Sequence, residues 1–445
     1  MAPSYDLIVR GGTAATPSGI AAADIAIADG RIAAIGDLAR AGAAEIFDAS
    51  GLHVLPGMID TQVHFREPGA EHKEDLESGT RAAVLGGVTA VFEMPNTKPL
   101  TLTPAALADK LGRAKGRAWC EHAFFIGGAA ENADQLAELE RLPGCSGVKV
   151  FMGSSTGDLL VEDDATLARI IAHGMRRMAV HAEDEPRLKE RRGIAEKAAH
   201  ARAHPVWRDE EVCLKATRRL LGLAAKARRR VHVLHVTTAE EMALLARHKA
   251  FATVEVTPSH LILTAPECYE RLGTYAQMNP PVREQRHQDA LWRAIAEGVV
   301  DVVGSDHAPH TRQEKDKPYP GSPSGVPGVQ TTVPLLLDAV HRGKLSLERL
   351  VDLLCHGPQR IYQIAGKGRL TVGYDGDLTL VDLKRRQRIE HKLMATKSGW
   401  TPFDGMTVTG WPIATIIRGH LVMRDGQVLG AALGQPVRFQ EYLPA

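Results

Sequence analysis

The sequence predicts an α/β protein, a (β/α)₈ barrel of the TIM type carrying a small β-sandwich domain built from both termini. Three observations lead there. Short apolar runs alternate with helix-spaced segments through the middle of the chain, strand-and-turn texture is confined to the two ends, and metal-ligand residue types sit where the apolar runs stop. The barrel is expected over residues 55–367 and the β-domain over 1–54 plus 368–445.

The elements follow in order. Residues 6–10 read as a strand broken by Gly11-Gly12, and residues 24–28 and 31–35 flank Asp29-Gly30, a pair suited to a tight hairpin turn. At the other end, residues 377–382 and 413–418 read as strands, and 422–428 brackets a second such pair, Asp425-Gly426. Eight barrel strands are expected at 55–64, 88–94, 120–126, 147–152, 177–181, 231–236, 252–256 and 299–303. Helical spacing marks 104–115, 164–173, 209–227 and 239–247 between them. A doubly wound sheet shares this alternation, but its phosphate-binding Gly-rich turn is absent. The charged run 312–317 and the Gly/Pro/Ser-rich stretch 318–328 together read as a loop of the substrate pocket, able to act as a lid.

Bulk properties narrow the function. With 445 residues, 44% hydrophobic and 24% charged, the chain can bury a large core. A formal net charge of +1 gives no electrostatic footprint for nucleic acid or an anionic membrane. No run approaches the roughly 20 apolar residues of a membrane span. Five scattered cysteines without a C-x-x-C pair suit a reducing compartment, and the first ten residues lack a signal-peptide pattern, so a cytoplasmic location is expected.

The chemistry lies at the strand ends. The first strand ends on Gln62 and His64, the second on Asn96, the fourth on Lys149, the fifth on His181 and the sixth on His235. The seventh supplies His260, and the eighth supplies Asp306, His307 and His310. In such barrels the active site occupies the C-terminal ends of the strands, so these residues converge. Singly, each has an ordinary reading: a lone histidine is more often structural, Lys149 could snorkel to the surface, and Asp306 could cap the following segment. Jointly they point to a metal centre, because imidazole and carboxylate suit Zn²⁺. Two ions about 3.5–4 Å apart hold a hydroxide and polarise a carbonyl. A neutral lysine amine reacts with CO₂ to give a bridging carbamate. That requires burial to lower the lysine from its usual pKa of about 10.4.

The motifs also carry a resemblance. Asp60-Thr61-Gln62-Val63-His64-Phe65-Arg66-Glu67-Pro68-Gly69 resembles the first metal motif of dihydroorotases in the amidohydrolase superfamily. Met94-Pro95-Asn96-Thr97, Met278-Asn279-Pro280-Pro281 and Gly304-Ser305-Asp306-His307-Ala308-Pro309-His310 resemble their later signatures, in family order across nearly the whole chain. Lys149-Val150-Phe151-Met152 resembles the lysine strand of hydantoinases.

The resemblance implies one or two Zn²⁺ ions per chain. His64 and Asp306 would hold one ion, His181 and His235 the other, with carboxylated Lys149 as the bridge. Arg66, Asn96 and His310 match positions that hold the substrate carboxylate, and Asn279 a position near the pyrimidine ring. Asp306 would also be the proton-transferring residue in the interconversion of dihydroorotate and N-carbamoyl-L-aspartate in pyrimidine biosynthesis. A homodimer, with association to aspartate transcarbamoylase, belongs to the same expectation. Gln62 departs from the family's His-x-His, and an amide oxygen is a weaker zinc ligand than imidazole. Two rival readings follow: a hydantoinase, dihydropyrimidinase or allantoinase, or a non-catalytic partner of aspartate transcarbamoylase. Arg66 argues against the first and the retained ligands against the second.

Overall fold

The computed structural model describes residues 5–155 and 159–440. Eight parallel strands follow one another round a barrel in chain order: Met58–Val63, Val88–Glu93, Glu121–Gly127, Cys145–Phe151, Met178–His181, Val231–Val233, Ala252–Val256 and Val302–Val303. A parallel bridge between Val63 and His307 joins the first strand to the end of the eighth, with His64 N donating to His307 O at 2.7 Å. The period of two along each strand separates two cores. Val148, Val150, Val180 and Val233 pack in the large cluster shared with the helices, whereas Phe92, Phe125, Ala179 and Leu234 form a separate cluster inside the barrel. The same alternation places Lys149 opposite Ala179 and His181 opposite Phe151 in the ladder.

The helices follow the sequence expectation closely. Glu210–Ala227 starts on Asp209, whose side chain accepts from Val212 N, and ends at Arg228, which is left-handed at φ 55°. Its buried stripe of Val212, Ala216, Leu220 and Ala224 repeats at helical spacing against the barrel. Among the described residues no helix is long and apolar enough to cross a membrane.

The β-domain is two sheets around a common core. A four-stranded sheet comes from the N-terminus alone; a seven-stranded sheet pairs N-terminal His53–Pro56 with C-terminal Leu378–Arg388. Leu7, Ile25 and Ile27 meet Leu378, Leu380 and Ile416 between them. Both expected hairpin turns form, with left-handed residues at Asp29-Gly30 and Asp425-Gly426. The expected strand 55–64 divides instead: His53–Pro56 lies in the seven-stranded sheet and Met58–Val63 in the barrel. The break is Gly57, where a Cβ would stand 2.4 Å from Thr89 Oγ1 and 2.8 Å from Asp377 Cβ. The expected eighth strand, 299–303, shortens to Val302–Val303.

The C-terminal segment returns to the barrel's N-terminal end. Gly434 N donates to Ala118 O, His122 N to Gln435 O, and Val437 N to His122 O. Phe439 packs edge-on against Phe92 in the interior cluster. All five cysteines are buried and free.

Candidate active site

A cavity opens at the C-terminal ends of the barrel strands. Gln62, His64, Arg66, Asn96, Lys149, His181, His235, Asn279 and Asp306 line it, so nine of the ten residues that the resemblance marks for the site meet there. The tenth, His310, stands behind Arg66, its Nε2 3.3 Å from an Arg66 Nη2. Three of these residues hold left-handed backbone: Arg66 (φ 65°), His235 (φ 38°) and Asp306 (φ 48°). Such strain in non-glycine residues clusters at functional sites.

The donors meet in two pairs. His181 Nε2 lies 2.9 Å from Glu183 Oε2. A carboxylate only accepts, so Nε2 carries the proton and the Nδ1 lone pair faces His235 Nε2 at 3.0 Å. His235 Nδ1 is buried without a hydrogen-bond partner. Either tautomer of His235 therefore leaves a polar atom unsatisfied: a proton on Nε2 strands a bare Nδ1, and a proton on Nδ1 sets two lone pairs face to face. In the second pair, His64 Nε2 lies 3.3 Å from Asp306 Oδ1, while His64 Nδ1 is 2.8 Å from Asn96 Oδ1. Gln62 Nε2 donates to Asp306 Oδ1 at 3.1 Å, and Gln62 Oε1 is buried with no hydrogen-bond partner.

Lys149 stands within electrostatic reach of both pairs. Its Nζ is fully buried, makes no hydrogen bond and lies 4.1 Å from the centre of the Phe151 ring. Burial pulls the amine down to about 7, against the pull of Asp306 and Glu255. Burial also lowers His64, His181 and His235, keeping the imidazoles neutral. Burial pulls the Glu183 carboxyl upward, but Arg208 and His181 outweigh it and hold the group well below the usual range. That makes Glu183 a fixed anion behind His181, the carboxylate–histidine arrangement that orients metal ligands.

Among the described residues no three His, Cys, Asp or Glu side chains form a ready metal cage. The donor chemistry explains this: each pair contributes two such residues, and reaches three or more only with Lys149 and Gln62. Unpartnered Lys149 Nζ, His235 Nδ1 and Gln62 Oε1, all buried beside neutral imidazoles, fit the expected zinc pair.

At the end where the substrate carboxylate is expected, Arg66 lines the cavity as a buried side chain. Burial lowers Arg66 only to about 10, so it remains a cation at neutral pH. Its Nε donates to Pro309 O at 3.2 Å. His310 is neutral through burial and the neighbouring cations Arg66 and Lys73. Lys73 Nζ donates to His310 Nδ1 at 3.2 Å, and His310 Nε2 donates to Ser324 O at 3.0 Å. Of the expected loop 312–328, Arg312–Lys315 is instead a short helix capped by Thr311; the remainder reaches the cavity wall at Ser324 and Gly325, and buried Lys315 ties it down through Pro323 O and Gly325 O.

Two strand-end histidines turn elsewhere. His260 belongs to the helix Pro258–Ile262, and its Nε2 donates to Pro280 O at 3.0 Å. His307 Nδ1 accepts from Gly328 N and Val329 N, with Nε2 directed to Glu74. Both support loops rather than line the cavity. Glu183, Arg208 and Lys73 belong to the site's supporting shell although the motifs do not mark them.

The sequence pattern of the amidohydrolase family matches residues 53–422. A dihydroorotase of Halobacterium salinarum is 39% identical over 389 residues, 86% of this chain and 89% of that protein. An L-hydantoinase of Paenarthrobacter aurescens is 32% identical over 445 residues, 96% of each chain. Among solved structures, an L-hydantoinase (dihydropyrimidinase) from Arthrobacter aurescens superposes with a TM-score of 0.92 at 31% identity, covering 97% of this chain and 99% of that one. A barrel closed on these strand ends, with the family pattern running through both domains, makes this chain a member of the amidohydrolase family.

Proposed function

We propose that the protein is a dihydroorotase, interconverting (S)-dihydroorotate and N-carbamoyl-L-aspartate. The observation that carries this reading is Arg66, a buried cation lining the same cavity as the metal-type donors. A ring amide at the donors and a ring carboxylate at Arg66 describe dihydroorotate. Uncharged hydantoin and dihydrouracil leave the guanidinium unmatched at a desolvation cost. The relatives named dihydroorotase support the same substrate.

His64, Asp306 and Gln62 would hold one zinc ion and His181 and His235 the other, with Lys149 as a carbamate between them. Bound there, the metal pair supplies an activated water and polarises the amide carbonyl. Asp306, fixed by Gln62 Nε2, would be the group that takes up a proton and delivers it to the leaving ring nitrogen. Arg66, Asn96 and His310 orient the carboxylate end, and Glu183 keeps His181 in its ligating tautomer. Run in reverse, the same groups close the ring in pyrimidine biosynthesis. The five free buried thiols suit a cytoplasmic setting.

The test is turnover of dihydroorotate by the zinc-loaded protein beside dihydrouracil, hydantoin and allantoin. The reading expects dihydroorotate to be preferred. Faster opening of an uncharged ring would assign the chain to a neighbouring activity.

A further inference from the structure

Behind the cavity wall, His204 is completely buried at the start of the short helix His204–Trp207. Its Nε2 lies 3.1 Å from Met278 O and 2.9 Å from Asn279 Oδ1. The first contact fixes the second. A main-chain carbonyl can only accept, so His204 Nε2 must carry a proton. The Asn279 atom beside that proton must then also accept, which makes it the amide oxygen. On the far side of the ring, the Tyr319 hydroxyl lies 3.4 Å from Nδ1 and donates to it. Burial lowers His204 to about 3, so the neutral ring is the form present. Tyr319 and Trp207 pack edge-on against the imidazole and hold its plane.

We propose that His204 is a positioning residue that holds the oxygen of Asn279 away from the ligand and leaves the amino group to serve the cavity. Asn279 lines the cavity, so the substrate meets a hydrogen-bond donor there. The site thereby selects rings that present a carbonyl oxygen at this position and rejects those that present an N–H or an amino group. An unmatched donor–donor contact at a buried site costs binding that cannot be recovered from solvent. The inference rests on the cyclic-amide reading above and adds a selection separate from that of Arg66.

A double-mutant cycle tests it, run on whichever cyclic amide the wild-type enzyme opens. Failure of wild type on dihydroorotate would thus strike the substrate reading and leave this test standing. His204→Phe and Asn279→Ala are each expected to lower kcat/KM about tenfold, mainly through KM. The double variant should be no worse than either single one, because His204 acts only through Asn279. His204→Gln, whose amide can donate to the same oxygens, should recover most of the loss. Asn279→Asp, which turns an acceptor toward the substrate, should fall below Asn279→Ala. Thermal unfolding of each variant separates loss of fold from loss of orientation, and the two Asn279 variants decide the matter if His204→Phe does not fold. Losses that multiply in the double variant, or an Asn279→Asp enzyme that matches wild type, would overturn the proposal.

Discussion

Gln62 and Asp306, 244 positions apart, share one hydrogen bond: Gln62 Nε2 donates to Asp306 Oδ1 at 3.1 Å. The other end of the same amide, Oε1, is buried without a partner. One side chain therefore orients the carboxylate while its oxygen stays unpartnered, the atom that would face the proposed cation. A neutral imidazole in its place offers one donor and one acceptor on a rigid ring, with different reach.

Zinc should therefore be held unequally. On dialysis of the zinc-loaded protein against a mild chelator, the ion at His64, Asp306 and Gln62 is expected to leave before the ion at His181 and His235. Gln62→His should slow that first loss without raising kcat. Metal content followed by atomic spectrometry checks this. Simultaneous loss of both ions, unchanged by the substitution, would show that position 62 does not set the affinity.

Asp306→Asn keeps the shape of the side chain and removes its capacity to take a proton. We expect kcat to fall by about 10²–10⁴ with little change in Tm. A variant retaining most of its turnover would sink the proton-transfer role.

Arg66→Ala should divide substrates by charge. For dihydroorotate, kcat/KM is expected to drop at least about tenfold, since a charged hydrogen bond contributes about 1.5–3 kcal/mol. Dihydrouracil turnover, which this reading expects to be slow, should change little. Arg66 also braces Pro309 O, so equal losses on both rings would mean that its role is to hold the backbone.

Lys149 should weaken the metal-free fold in a pH-dependent way. Its folded pKa is lowered from 10.5 to about 7. Between those values the unfolded chain binds a proton that the folded chain does not, so stability rises with pH across the window. The penalty is largest below pH 7 and fades toward 10.5. In metal-free, bicarbonate-free buffer, Lys149→Met should gain on the order of 2 kcal/mol near neutral pH and progressively less above it. Urea unfolding at a series of pH values measures the difference. A gain independent of pH would contradict it.

The strand ends were legible because a polar residue inside a period-two apolar run has few places to go: Lys149 between Val148 and Val150 faces the barrel interior. The division at Gly57 was not legible, since the residues around it form one apolar run and the break depends on Thr89 and Asp377 from distant segments. His260 stands where a strand stops, but the direction of its ring is set by a helix beginning at Pro258 and by the carbonyl of Pro280. Lys73 and His204 act through partners 237 and 75 positions away, a distance at which no spacing rule operates. Glu183 did carry a local signal, two residues after His181, but only the return of Arg208 gives the pair its meaning.

The seven-stranded sheet also governs the order in which the molecule can be completed. His53–Pro56 pairs with Thr13–Thr16 on one side but finds its second partner only when Leu378–Arg388 has been synthesised, and Met58 N waits for Thr379 Oγ1, 321 residues later. Until then a nascent chain on the ribosome carries an open strand edge and a barrel without its floor, which Phe439 and its neighbours add last. Truncation by a dozen residues at the C-terminus should thus harm folding far from the catalytic mouth, producing inclusion bodies rather than a soluble enzyme with altered kinetics. A soluble, fully active truncated chain would show that the floor is dispensable.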